Sequence, residues 1–77
     1  MNKERRKELV RISEMIYDAK AALKNVMNDE QEAFDNLPEW IQSSDKGLDM
    51  EDKINGLEEA IDNLETVFDI LDQMGNE

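Results

Sequence analysis

Cysteine and histidine are both absent from the 77 residues. Their absence excludes disulfides, thiolate nucleophiles, imidazole bases and every zinc site that needs sulfur or nitrogen ligands. Apolar runs are short, none longer than three residues, so there is neither a signal-peptide core nor a membrane span, and the expected location is the cytoplasm. Basic residues are scarce: nine Lys and Arg face twenty Asp and Glu, a net charge of −11. That balance disfavours direct binding to nucleic acid or anionic lipid and favours a protein partner with a basic surface. A chain of this length buries only about 60% of its unfolded surface, too little for a large enzyme core.

Enough apolar material remains to fold. Leu, Ile, Val and Phe make up 18 of the 77 residues, about 23%, just above the roughly 20% below which a highly charged chain is disordered. In the first half they recur at Leu9, Ile12, Ile16, Ala19, Leu23, Val26, Ala33 and Leu37, a 3,4 alternation broken only by Glu30. The second half repeats the rule at Met50, Ile54, Leu57, Ile61, Leu64, Phe68 and Leu71. Both are heptad seams of helices, and no strand pattern competes with them. Pro38 biases Leu37 away from helix and ends the first one. The expectation is an all-α, antiparallel helical hairpin of a single domain: a helix over 3–36, a connection over 37–47 with a short helical turn through Trp40 and Ile41, and a helix over 48–74.

Leu37 beside Met50 sets a register that pairs Ala33 with Ile54, Val26 with Ile61, Leu23 with Leu64, Ala19 with Phe68 and Ile16 with Leu71. Small Ala19 opposite large Phe68 suits a packed core. The same register brings Asp29 and Glu30 to Lys53, Lys20 to Glu65, and the basic N-terminal residues to Asp69 and Asp72. One side of the seam is widened by Met15, Ala22, Ala60, Val67 and Met74, an apolar flank that a two-helix hairpin cannot cover. Self-association into a four-helix homodimer is the simplest way to bury it.

The other side of the second helix carries Glu51, Glu58, Asp62, Glu65, Asp69 and Asp72 in steps of mostly three and four, with Asn55 in the single gap and no lysine interspersed. At about 1.5 Å per residue this stripe runs roughly 31 Å, with carboxylates about 5 to 6 Å apart, a spacing comparable in order with nucleic-acid phosphates. It reads either as a solvated helix face or as a surface that competes with DNA or RNA for a basic groove. The charge is also polarised along the chain: residues 1–26 carry seven bases and four acids, residues 27–77 two bases and sixteen acids. Lys3, Arg5, Arg6, Lys7 and Arg11 thus serve either as a docking arm or as neutralisation for the acidic tail.

A calcium loop starting at Asp45 fails, with Met50 at its sixth position and Gly56 at its twelfth. A start at Glu51 puts Lys53 where a ligand belongs. A helix-bundle di-iron centre requires histidine. No metal, cofactor or catalytic residue is therefore assigned, and no enzyme activity is expected. Lone Trp40, beside Ile41, either caps the open end of the core or anchors a partner, and capping is favoured because Phe34 and Met27 point to the same end.

The segment Asp35-Asn36-Leu37-Pro38-Glu39, then Gln42-Ser43-Ser44, Gly47 and Met50-Glu51, followed by Ile54, Leu57, Ala60, Ile61 and Leu64, resembles small acidic helical-hairpin proteins of bacteriophages and prophages. Trp40 departs from that pattern, where a smaller or polar residue is expected. The resemblance implies a phage setting inside a bacterial host cell and supplies no catalytic residues. It points to a phage-encoded inhibitor of a host nucleic-acid-binding or defence protein, acting as a nucleic-acid mimic. The alternative is a structural or assembly accessory that docks through the apolar flank and Trp40.

Overall fold

The computed structural model describes all 77 residues as three helices: α1 over Lys3–Asp35, a single turn α2 over Glu39–Gln42, and α3 over Asp45–Gly75. The all-α hairpin is as expected: α1 and α3 lie antiparallel in a rod whose Cα atoms extend 58 × 14 × 12 Å, and the short turn through Trp40 and Ile41 is present. The second long helix begins three residues earlier than its apolar pattern suggests, because Ser44 takes an extended conformation (φ −82°, ψ 174°) and serves as its N-cap. At the other terminus of the hairpin the Asn2 side-chain oxygen accepts a hydrogen bond from the Arg5 backbone N–H at 2.8 Å and caps α1.

The connection is tight, and its polar residues account for that. The Gln42 side-chain amide donates to the Phe34 and Leu37 carbonyls, each at 3.1 Å, and so ties α2 back onto the end of α1. Leu37 N–H donates to Phe34 O at 3.0 Å, and Ile41 N–H to Pro38 O at 2.9 Å. The Ser44 hydroxyl donates to Ile41 O rather than capping α3 with its side chain. Gly47 is buried against this corner. A Cβ built on Gly47 would lie 2.0 Å from Gln42 O and 2.6 Å from Gln42 Cα. The first turn of α3 and the end of α2 are thus closer than any side chain permits.

The seam of α3 is the expected one. Ile54 and Ile61 are the two buried apolar residues of the chain, and Met50, Leu57, Leu64, Phe68 and Leu71 are half-buried along the same line. On α1 the seam differs. Leu9, Ile16, Leu23, Glu30 and Leu37 face inward as expected, but the residues between them are Ser13, Lys20, Met27 and Phe34, not Ile12, Ala19, Val26 and Ala33. Ala19 and Ala33 are exposed and Val26 is 53% exposed, while Ile12 is half-buried at the edge. The helix is turned by about one residue, which half-buries Phe34 and Met27 in place of the smaller Ala33 and Val26 and so removes more apolar area from water. Its cost is two polar inward positions. Ser13 is met by a hydrogen bond from its hydroxyl to Val10 O at 2.7 Å. Lys20 lays its stem along the seam and keeps its ammonium at the edge, 4.0 Å from Glu65.

This rotation changes the pairing. Phe68 meets the ring of Tyr17, with centroids 5.9 Å apart at 52°, instead of Ala19. Asp29 and Glu30 do not pair with Lys53, which lies 3.9 Å from Asp49, one turn away on its own helix. That local partner requires no inter-helix register.

The glycines yield opposite predictions. Gly47→Ala must push α2 away from α3 and should destabilise the hairpin by about 1–3 kcal/mol or more. A Cβ at Gly56 would meet nothing within 4 Å, so Gly56→Ala removes a mid-helix glycine and should stabilise by roughly 0.5–1 kcal/mol. Thermal unfolding followed by circular dichroism measures both, and equal effects of the same sign would contradict this packing.

Candidate functional site: an acidic face on a rigid helix

Six carboxylates of α3 occupy the side of the hairpin away from the apolar flank. Glu51, Glu58, Asp62, Glu65 and Asp69 are exposed, Asp72 is half-buried, and Asn55 continues the row between Glu51 and Glu58. They belong to one 31-residue helix, so their spacing is fixed by helix geometry: Glu51 and Asp72 stand about 31 Å apart along its axis. The structure thus places all six sequence-assigned acids along one edge.

Few cations answer them. Lys20 reaches Glu65 at 4.0 Å, as expected, and is also 5.7 Å from the centroid of the Tyr17 ring. The basic N-terminal residues do not form ion pairs with Asp69 or Asp72. Arg11 turns to Glu8 on its own helix, donating from Nε at 3.1 and 3.2 Å. That hydrogen bond, reinforced by charge attraction, holds the Glu8 carboxyl below its usual range and raises Arg11. Arg6 donates to the Met1 carbonyl at 2.6 Å. Lys3, Arg6 and Lys7 gather with Val10 around the end of α3 at Gly75 and Asn76, where helix carbonyls present partial negative charge. The N-terminal bases therefore serve the terminus of α3 rather than its acidic face.

The surface near the start of the stripe is notched. A shallow open cleft of about 330 Å³ is lined by Gln31, Phe34, Glu51, Ile54 and Asn55, and a neighbouring one by Phe34, Glu39, Gln42, Ser43, Leu48 and Glu51. Neither brings together two acids in the dry surroundings that split carboxyl pKa values for acid–base catalysis. No three acids of the chain converge closely enough to hold a metal ion.

Trp40 does not cap the core. It is 75% exposed on α2, the most exposed large apolar side chain of the protein. Half-buried Ile41, next to it, turns inward instead. A four-residue helix has one inward side, and the spacing of Phe34, Leu37 and Ile41 takes it. Sequence reasoning passed over Tyr17, Gln42 and the inward placement of Lys20. The available signal was the second 4,3 row, Leu9, Ser13, Ile16, Lys20, Leu23, Met27, Glu30 and Phe34, which Ser13 and Lys20 make look polar.

No helix is long and apolar enough to cross a membrane. No protein-family model, curated protein or solved structure significantly matches the chain.

The charge arrangement predicts a salt response. With a net charge of −11 and one ion pair between the long helices, self-repulsion outweighs attraction. Raising sodium chloride from about 0.02 to 0.5 M shortens the screening length from over 20 Å to a few Å and should raise the melting temperature by several degrees. A melting temperature that falls with salt would show that ion pairs dominate.

Proposed function

We propose that the protein is a non-catalytic acidic binding protein whose α3 carboxylate row occupies the basic nucleic-acid groove of another protein. The observation that carries this reading is the row itself: six acids on one edge of a rigid helix, without an interspersed lysine and with a single cross-helix cation. A solvated face of a stable domain mixes both signs, and like charges three and four residues apart cost a few tenths of a kcal/mol per pair. This row accepts that cost over its whole length. Its straightness and charge spacing suit a protein surface built to track a phosphate backbone. The resemblance of the connection to small phage and prophage proteins supports a setting in a bacterial cytoplasm, with a host nucleic-acid-binding or defence protein as the target.

A second reading rests on Trp40. A tryptophan three-quarters exposed on a one-turn helix suits an anchor in a partner's apolar pocket, and would make the protein an assembly accessory.

One experiment separates the two. Capture from a bacterial lysate with mass spectrometry supplies the partner, and binding is then measured against salt for two variants. The mimic reading expects Glu58→Lys, Glu65→Lys and Asp69→Lys together to lower affinity at least 100-fold, Trp40→Ala to have little effect, and wild-type binding to weaken steeply as salt rises. Salt-insensitive binding that survives the triple reversal and is lost in Trp40→Ala overturns it in favour of the accessory role.

A further inference from the structure

The rotation of α1 leaves a second apolar face, opposite the acidic one and larger than the seam pattern implies. On α1 it contains Met15, Ala19, Ala22 and Val26, and on α3 Val67 and Met74, with Ile70 beyond its edge; the four large ones are between 37% and 56% exposed. The hairpin as a whole exposes 5681 Å², whereas a compact monomer of its mass exposes about 4800 Å². The excess of about 900 Å², summed over all faces of the elongated rod, is of the same order as the roughly 800 Å² that each partner contributes to a standard interface.

We propose that this face is covered by a second copy of the chain, packed antiparallel about a twofold axis that passes between Ala19 and its symmetry mate and between Val67 and its symmetry mate. Three features select this occupant. The first is position. Ala19 is the midpoint of α1, which runs over Lys3–Asp35, so a twofold at Ala19 superposes the two α1 helices along their whole length, and on α3 it overlaps residues 59–75 of the two copies. The second is size complementarity. About that axis Ile12 comes level with Val26 and Ala60 with Met74, so in these layers a large side chain faces a smaller one, Met15 lies beside the small Ala22 of the other copy, and Ala19 at the centre permits close approach. The third is charge. Residues 1–11 carry Lys3, Arg5, Arg6, Lys7 and Arg11 against Glu4 and Glu8, a net positive charge that persists with Arg11 paired to Glu8 and with Lys3, Arg6 and Lys7 gathered at the end of α3, while residues 27–35 carry Asp29, Glu30, Glu32 and Asp35 with no base. The antiparallel arrangement sets the first stretch of one copy beside the second stretch of the other. A parallel arrangement would stack the acidic connection ends on each other. The dimer is independent of the groove-binding reading, because the acidic rows stay on its outer sides.

The chain has no cysteine, so single cysteines report the arrangement cleanly. Sedimentation equilibrium of the full chain at about 10–100 μM should give twice the 8.9 kDa chain mass, and Val26→Glu with Val67→Glu should return it to the monomer mass with helical circular dichroism kept. Under mild oxidation Ala19→Cys alone and Val67→Cys alone should each form disulfide-linked dimers. A wild-type chain that stays monomeric over this range overturns the proposal. So does linkage only in a mixture of the two cysteine variants, which would place Ala19 over Val67 in a parallel pair. If the double glutamate variant loses its helicity, the wild-type mass and the cysteine pattern still decide.

Discussion

The inward packing of Phe34 and Met27 is the constraint on which the rest of the molecule depends. A helix with apolar residues on two adjacent rows must choose which row meets its neighbour, and the bulkier pair lies nearest the connection, where α2 holds the end of α1. Gln42 fixes that end through two carbonyls of the last turn and its sequel, and Gly47 lets α3 start against α2 with no side chain between them. Once Phe34 faces Ile54 and Glu51, the heptad spacing carries Met27, Lys20 and Ser13 inward after it. Tyr17 then stands against Phe68, and Ala19 and Val26 are left outside.

Much of this was legible in the residues, and the failures have a common origin. The α3 seam has one unambiguous apolar row, so its inward residues were all read correctly. α1 has two rows offset by one residue, and a reading that counts apolar residues prefers Ile12, Ala19 and Val26 over Ser13, Lys20 and Met27. The structure instead weighs side-chain size near the connection and tolerates Ser13 and Lys20, because one satisfies its hydroxyl within its own helix and the other extends to the edge. The misplaced pairing of Ala19 with Phe68 descends from that one choice, whereas Lys53 turns from Glu30 to Asp49 one turn away on its own helix. Trp40 was misread for a different reason: a single turn can point only part of its residues inward, and Ile41 occupies that direction.

The connection motif acquires a physical meaning. Leu37, Gln42, Ser44 and Gly47 each hold the corner, through burial, two side-chain hydrogen bonds, a helix cap and a forbidden Cβ. These residues explain how so short a connection holds the two long helices side by side. The surfaces proposed for recognition lie elsewhere, in the α3 carboxylates, the exposed Trp40 and the apolar face. A thin two-helix core with two buried apolar residues has little stability to spare, and an uncompensated acidic row adds to the demand, so covering the apolar face is energetically consequential as well as geometrically available.

The rotation of α1 sets the seam and the outer faces alike, and a proton NOESY spectrum of the native chain tests it most directly. The predicted result is cross-peaks between the Tyr17 and Phe68 ring protons, whose centroids are 5.9 Å apart, with the Ala19 methyl showing none to Phe68. Strong contacts from the Ala19 methyl to the Phe68 ring, with Tyr17 free of it, would place the other row of α1 in the seam and contradict the account.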